Sequence, residues 1–118
     1  MARYKHLPIY KTTYQLLELV VRKTKDFPRD FKYSLGDKIR TECIELVVFI
    51  YKANSSVNRQ QFLAQILERI QAIELMLRLS KDLRLINVDS FSETVVLTDS
   101  LARQTQGWLK HSKGLGAE

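Results

Sequence analysis

Apolar residues recur every three or four positions along most of this chain, the spacing of helices that bury one side. From Pro8 to Thr24 the residues Ile9, Thr13, Leu16, Leu17, Val20 and Val21 form one stripe, with Lys11, Gln15, Glu18, Arg22 and Lys25 opposite. Pro8 suits a first helical position, where its missing N–H would have no partner anyway. The pattern predicts a second helix over 35–53, with Leu35, Ile39, Cys43, Leu46, Val47 and Ile50 as its main stripe. Ile44, Val48 and Tyr51 fall on an adjoining face of it, with Phe49 beside them. A third helix, over 58–82, carries Phe62, Ile66, Ile70, Ile73 and Leu77, widened by Leu63, Leu67, Leu75, Met76 and Leu79. A fourth, over 90–110, turns Phe91, Val95, Thr98, Leu101, Ala102, Thr105, Trp108 and Leu109 inward.

The breaks between these stripes are equally legible. Pro28 lacks a backbone donor and pushes Phe27 out of the helical region, so the first helix ends in the join from Lys25 to Gly36. Ser34 stands three residues before Asp37, a capping-box spacing that predicts a helix start at Leu35. Asn58 with Gln61, and Ser90 with Glu93, repeat that signal before the third and fourth helices. Asn54-Ser55-Ser56 reads as a polar turn, Leu85 to Val88 as a linker, and 112–118 as a frayed tail. The elements together predict an all-α fold: one domain over 1–118, folded as a single antiparallel up-down-up-down four-helix bundle. Its expected core is Leu16, Val20, Ile39, Cys43, Leu46, Ile66, Ile70, Ile73, Leu101 and Trp108. The apolar faces of the two middle helices are wider than one bundle needs. Either these helices are the most buried, or they meet another subunit; self-association is the expectation, with Phe49, Tyr51 and Leu75 as its anchors.

Composition adds exclusions. With 45% hydrophobic and 27% charged residues the chain is an ordinary globular one, and no apolar run approaches the roughly 20 residues of a membrane span. Residues 1–5 have neither the apolar core nor the cleavage site of a secretory signal, and a lone Cys43 cannot close an internal disulfide. A cytoplasmic protein without a membrane partner is expected. The net charge is +6, and residues 1–33 hold eight basic side chains against three acidic ones, nearly the whole excess. Such a cluster is either a solvated face or a contact for a polyanion, RNA or DNA being the usual one.

Catalytic chemistry finds no foothold. His6 and His111 are the only histidines, neither follows a carboxylate at the spacing of di-iron bundles, and with Cys43 they make no zinc set. Glycines 36, 107, 114 and 116 form no phosphate-cradling loop. Cys43 shares a stripe with Ile39, Leu46 and Ile50, so a buried structural thiol is expected. No catalytic residue, metal or cofactor is predicted; the chain reads as a binding protein.

Several short segments resemble one family. Lys5-His6-Leu7-Pro8-Ile9-Tyr10-Lys11, Thr24-Lys25-Asp26-Phe27-Pro28-Arg29, Tyr33-Ser34-Leu35-Gly36 and Ile39-Arg40 resemble the accessory variability determinant (Avd) proteins of diversity-generating retroelements. Tyr51-Lys52-Ala53-Asn54, Leu77-Arg78-Leu79-Ser80-Lys81-Asp82 and Gly107-Trp108-Leu109 extend the likeness over residues 4–110. The Phe-Pro element is shared with the four-helix proteins of intervening sequences in 23S ribosomal RNA genes. The resemblance implies a non-enzymatic partner of the retroelement's reverse transcriptase. It further implies a homopentamer with a basic surface that binds the enzyme and nucleic acid, template RNA or cDNA, during mutagenic copying. Arg29, Lys32, Arg40, Arg78, Lys81 and Arg84 are the matching basic positions, and Arg22 and Lys25 join them on charge. Phe27, Phe31 and Tyr33 lie among these cations and either stack on bases or pack the join onto the bundle. An interaction protein of the ribosomal intervening-sequence type, with no reverse-transcriptase partner, is the alternative.

Overall fold

The computed structural model describes the backbone of residues 6–116 and the side chains of 6–112. The elements are α1 (Pro8–Thr24), α2 (Arg29–Phe31), a π-helical segment (Lys32–Gly36), α3 (Asp37–Ser55), α4 (Arg59–Asp82) and α5 (Val88–Gly116). The protein is all-α, with four long helices and no strand among the described residues, in a body of 51 × 21 × 19 Å. Side-chain pairs fix which parts of the helices meet. Arg40 in early α3 reaches Thr24 at the end of α1, and Phe49 in late α3 lies 6.4 Å from Phe62 in early α4. Lys81 in late α4 sits 4.9 Å from the ring of Phe91 in early α5, and Gln104 in late α5 donates to Thr12 in early α1.

Leu16, Val20, Ile39, Cys43, Leu46, Ile66, Ile70, Ile73 and Leu101 are all buried, as the stripes predict. Trp108 is half-buried against that core rather than within it. Thr13, Thr24, Thr98 and Thr105 are buried too, each hydroxyl bonded to a carbonyl of its own helix, so no donor is stranded.

The helix ends depart from the sequence expectation in five places. Helical backbone resumes at Arg29, not Leu35, because Pro28 itself stands at the N-cap and its carbonyl accepts the N–H groups of Phe31 and Lys32, each at 2.8 Å. Ser34 therefore lies inside a helical turn, and its hydroxyl donates to the Asp30 carbonyl instead of capping anything. Asn58 makes no side-chain cap at α4. At α5 the cap is Asn87, whose Oδ1 accepts the Ser90 N–H at 2.7 Å, so the helix starts at Val88 and Ser90 is buried within its first turn. Asn54 and Ser55 extend α3 by two residues, and α5 continues to Gly116, with Ser112 buried where fraying is expected. Residues 117–118 of that tail lie outside the described residues.

The turn after α4 is a Schellman motif. The N–H of Leu85 reaches the Ser80 carbonyl and that of Arg84 the Lys81 carbonyl, at 2.8 and 2.9 Å. This places Arg84 at φ 62°, the left-handed position that glycine fills most cheaply.

Candidate nucleic-acid interface

The join between α1 and α3 is built around Arg40. Its Nη1 donates to Thr24 Oγ1 at 2.6 Å, its Nη2 donates to the Lys32 carbonyl at 3.1 Å, and the same nitrogen pairs closely with Asp37. One guanidinium thus ties the end of α1 to the π-helical segment and to the first turn of α3. Gly36 makes room for this. A Cβ there would come within 3.3 Å of the Phe31 carbonyl and of Arg40 Nη1, and 3.5 Å of Thr24 Cβ, so a side chain would require the first two to give by a few tenths of an ångström. Phe27 is buried and Phe31 half-buried against the core, so these two aromatics pack the join. Tyr33 does not; it stays exposed, with Lys32 Nζ 5.7 Å from its ring centre. Phe27, Arg29, Lys32 and Tyr33 line an open cleft of about 470 Å³.

The eight basic positions expected to bind fall into distinct settings. Lys25, Arg29 and Arg84 are exposed, with no ion pair or side-chain hydrogen bond recorded among the described residues. Arg22 is exposed and pairs loosely with Glu18 at 3.9 Å, a contact worth little in water. Lys32 is half-buried at the rim of the cleft. Arg78 and Lys81 both lean on Phe91, at 5.9 and 4.9 Å from its centre, and Lys81 also pairs with Asp82 at 3.5 Å. Arg40 is committed inside the chain, which makes it a positioning residue for the join rather than a surface charge.

The expected subunit anchors also separate. Phe49 is buried by its own protomer, between Phe62 and the cations Arg69 and Lys52, 4.6 and 5.2 Å from its ring centre. Tyr51 and Leu75 are exposed, at 51% and 68%. Near Tyr51 in sequence, Ile44 and Val48 are exposed on α3, and near Leu75, Leu79 is exposed on α4.

Sequence reading misses the partner of a buried carboxylate, Glu42, in a part-buried ion pair. Glu42 receives Arg69 Nη1 at 2.7 Å and Lys38 Nζ at 3.5 Å. Its partner lies 27 positions away on another helix, a distance at which no local spacing signals a pair. Burial, reinforced by the Glu42 carboxylate, pushes the Cys43 thiol up to about 12, so it is neutral and inert at ordinary pH. No group of three or more His, Cys, Asp or Glu side chains is placed to hold a metal among the described residues, and no described helix is long and apolar enough to cross a membrane. What the join offers is charge and one exposed ring, that of Tyr33.

A family model described as bAvd-like matches residues 7–112. No curated protein matches the chain.

Proposed function

The chain belongs to the bAvd-like family, and on that premise we propose that it is the accessory protein of a diversity-generating retroelement, binding the reverse transcriptase and nucleic acid. The family is one of accessory, non-catalytic proteins. The match carries the reading, because it spans α1, α3 and α4, the basic join, and most of α5. In this proposal the helices run up-down-up-down, which the contacts between late and early segments of neighbouring helices support. The join and the turn at Arg84 then lie at the same end of the bundle. Arg22, Lys25, Arg29, Lys32, Arg78, Lys81 and Arg84 form one basic end that grips phosphates and positions the template without reading its bases.

The oligomer is part of the same proposal. Ile44, Val48 and Tyr51 on α3 and Leu75 and Leu79 on α4 are exposed apolar side chains on two different helices. Two unlike patches suit a head-to-tail contact, which closes into a ring, and a pentamer is the form the family resemblance implies. A ring repeats each weak basic end and so raises avidity for a long polyanion.

The test joins capture of the co-expressed reverse transcriptase by the tagged chain to a salt titration of template-RNA binding. Capture is expected, with RNA affinity falling steeply as salt rises. Arg84→Gly is the informative variant. It should be more stable by about 1 kcal/mol, since glycine relieves the left-handed position, yet bind RNA more weakly. Reversing Arg78 and Lys81 would instead disturb their seat on Phe91. A chain that captures no enzyme and shows a flat salt response would refute the proposal; RNA binding without enzyme capture would favour the intervening-sequence type.

A further inference from the structure

Three aromatic residues enter the join, and the fold treats one of them differently. Phe27 is 4% exposed and Phe31 is half-buried, whereas Tyr33 is 65% exposed. Its ring is bordered by cations: Lys32 Nζ lies 5.7 Å from its centre, and Arg29 lines the same cleft of about 470 Å³. We propose that Tyr33, flanked by Arg29 and Lys32, is a stacking platform for an unpaired base, so that this surface prefers single-stranded over duplex nucleic acid. The inference rests on the nucleic-acid half of the function proposed above and adds the strandedness of the ligand and the residue that selects it.

The chemistry favours a base over other flat or apolar groups. Between residues 22 and 33 there are five basic side chains against the two carboxylates Asp26 and Asp30, so the approach to the ring attracts a polyanion. The next carboxylate, Asp37, is drawn onto Arg40 and adds little repulsion. A base brings a π-face for the tyrosine and a phosphate on either side for Arg29 and Lys32, a combination that tracks single strands with little regard to sequence. In a duplex those faces are already stacked on one another, and only the phosphates remain for the protein. The platform is also held in place beforehand. The Arg40 bonds to Thr24 and the Lys32 carbonyl, and the close seat of Gly36, fix the turn that carries the ring, so little ordering is left to do on binding.

Fluorescence anisotropy of the full chain tests this, with a labelled single-stranded RNA, the single-stranded DNA of the same sequence and the blunt duplex, all at one salt concentration. Single strands are expected to bind more tightly than the duplex. Tyr33→Ala should weaken single-strand binding about tenfold, within the usual effect of removing a stacking ring, and leave the duplex nearly unchanged. Tyr33→Trp should retain the preference, and Arg29→Gln should weaken both ligands alike. Because the ring is exposed, these variants are expected to keep the helical circular dichroism of the parent. Equal binding of single strand and duplex, or Tyr33→Ala leaving single-strand affinity unchanged, overturns the platform while the basic-surface reading stands. Loss of both ligands together in Tyr33→Ala assigns the ring a general positioning role and overturns the platform too. If the parent chain binds neither ligand even at low salt, both proposals fall.

Discussion

α4 turns Leu63, Ile66, Ile70, Ile73 and Leu77 inward, with Ser80 at the end of the row, whereas α5 buries Ser90, Thr94, Thr98, Leu101, Thr105 and Ser112. The two helices are neighbours in the same bundle and bury unlike chemistry. A fully buried leucine or isoleucine contributes about 1.5–3 kcal/mol of transfer free energy, while a threonine offers little more than one methyl. Among the described residues, no α5 hydroxyl is hydrogen-bonded to a neighbouring helix. Those of Thr94, Thr98 and Thr105 turn back to the carbonyls of Phe91, Val95 and Leu101, and Ser112 Oγ is buried with no partner among the described residues. α4 is therefore the anchor, and α5 is a cover that presents smaller side chains to the core. Stability and position are divided between the two faces.

That division can be broken most sharply at Ile70. Ile70→Ala should destabilise the protein by about 2–5 kcal/mol in urea unfolding, because the cavity lies among rigid neighbours; a loss under 1 kcal/mol would remove the anchor role. The next effect is on pH dependence. Cys43, on the helix that α4 packs against, has its thiol raised from 9.0 to about 12 in the folded chain. The unfolded chain therefore gives up this proton first. The stability contributed is complete below pH 9 and is lost progressively as the pH rises toward about 12. The slope from this one group reaches at most about 1.4 kcal/mol per pH unit, and Cys43→Ala should lack that component when the two alkaline profiles are compared. The smallest effect belongs to α5. Thr98→Val keeps the shape and removes a hydroxyl whose one bond among the described residues, at 3.3 Å, is to its own helix, so a change of no more than about 1 kcal/mol, toward greater stability, is expected. A large loss would show that the hydroxyl row holds α5 in place.

The same contrast explains what was legible beforehand. Ile66, Ile70 and Ile73 announce their helix through spacing alone, since an apolar side chain in a polar period has one reason to be there. The phase with Leu101 turns Thr98 and Thr105 inward, although their chemistry alone would not place them there. Helix ends were harder. Ser34 and Asp37 have the spacing of a cap, but the chain had already turned helical at Arg29 behind Pro28, and the capping spacing cannot see a start made by a backbone carbonyl. Among the candidate site residues, the resemblance points to Arg29 and Arg84 and charge to Lys25, all three exposed cations, yet Arg40 looks no different in sequence and is spent on Thr24, Asp37 and the Lys32 carbonyl. Exposure is a property of three-dimensional neighbours. The separation of Tyr33 from Phe27 and Phe31 has the same origin, because all three are aromatic and only the fold decides which one is covered.

The π-helical segment from Lys32 to Gly36 works as a phase shifter within the helical run from Arg29 to Ser55. Each residue of an α-helix turns the next side chain by about 100°, and a π-turn holds one residue more than that winding allows. The direction in which Arg29, Lys32 and Tyr33 look out is thus set by the number of residues in the turn as much as by their identity. If the same residues wound as regular α-helix, the extra one would no longer be absorbed and the join would swing by about 100° relative to α3, with every one of its side chains unchanged.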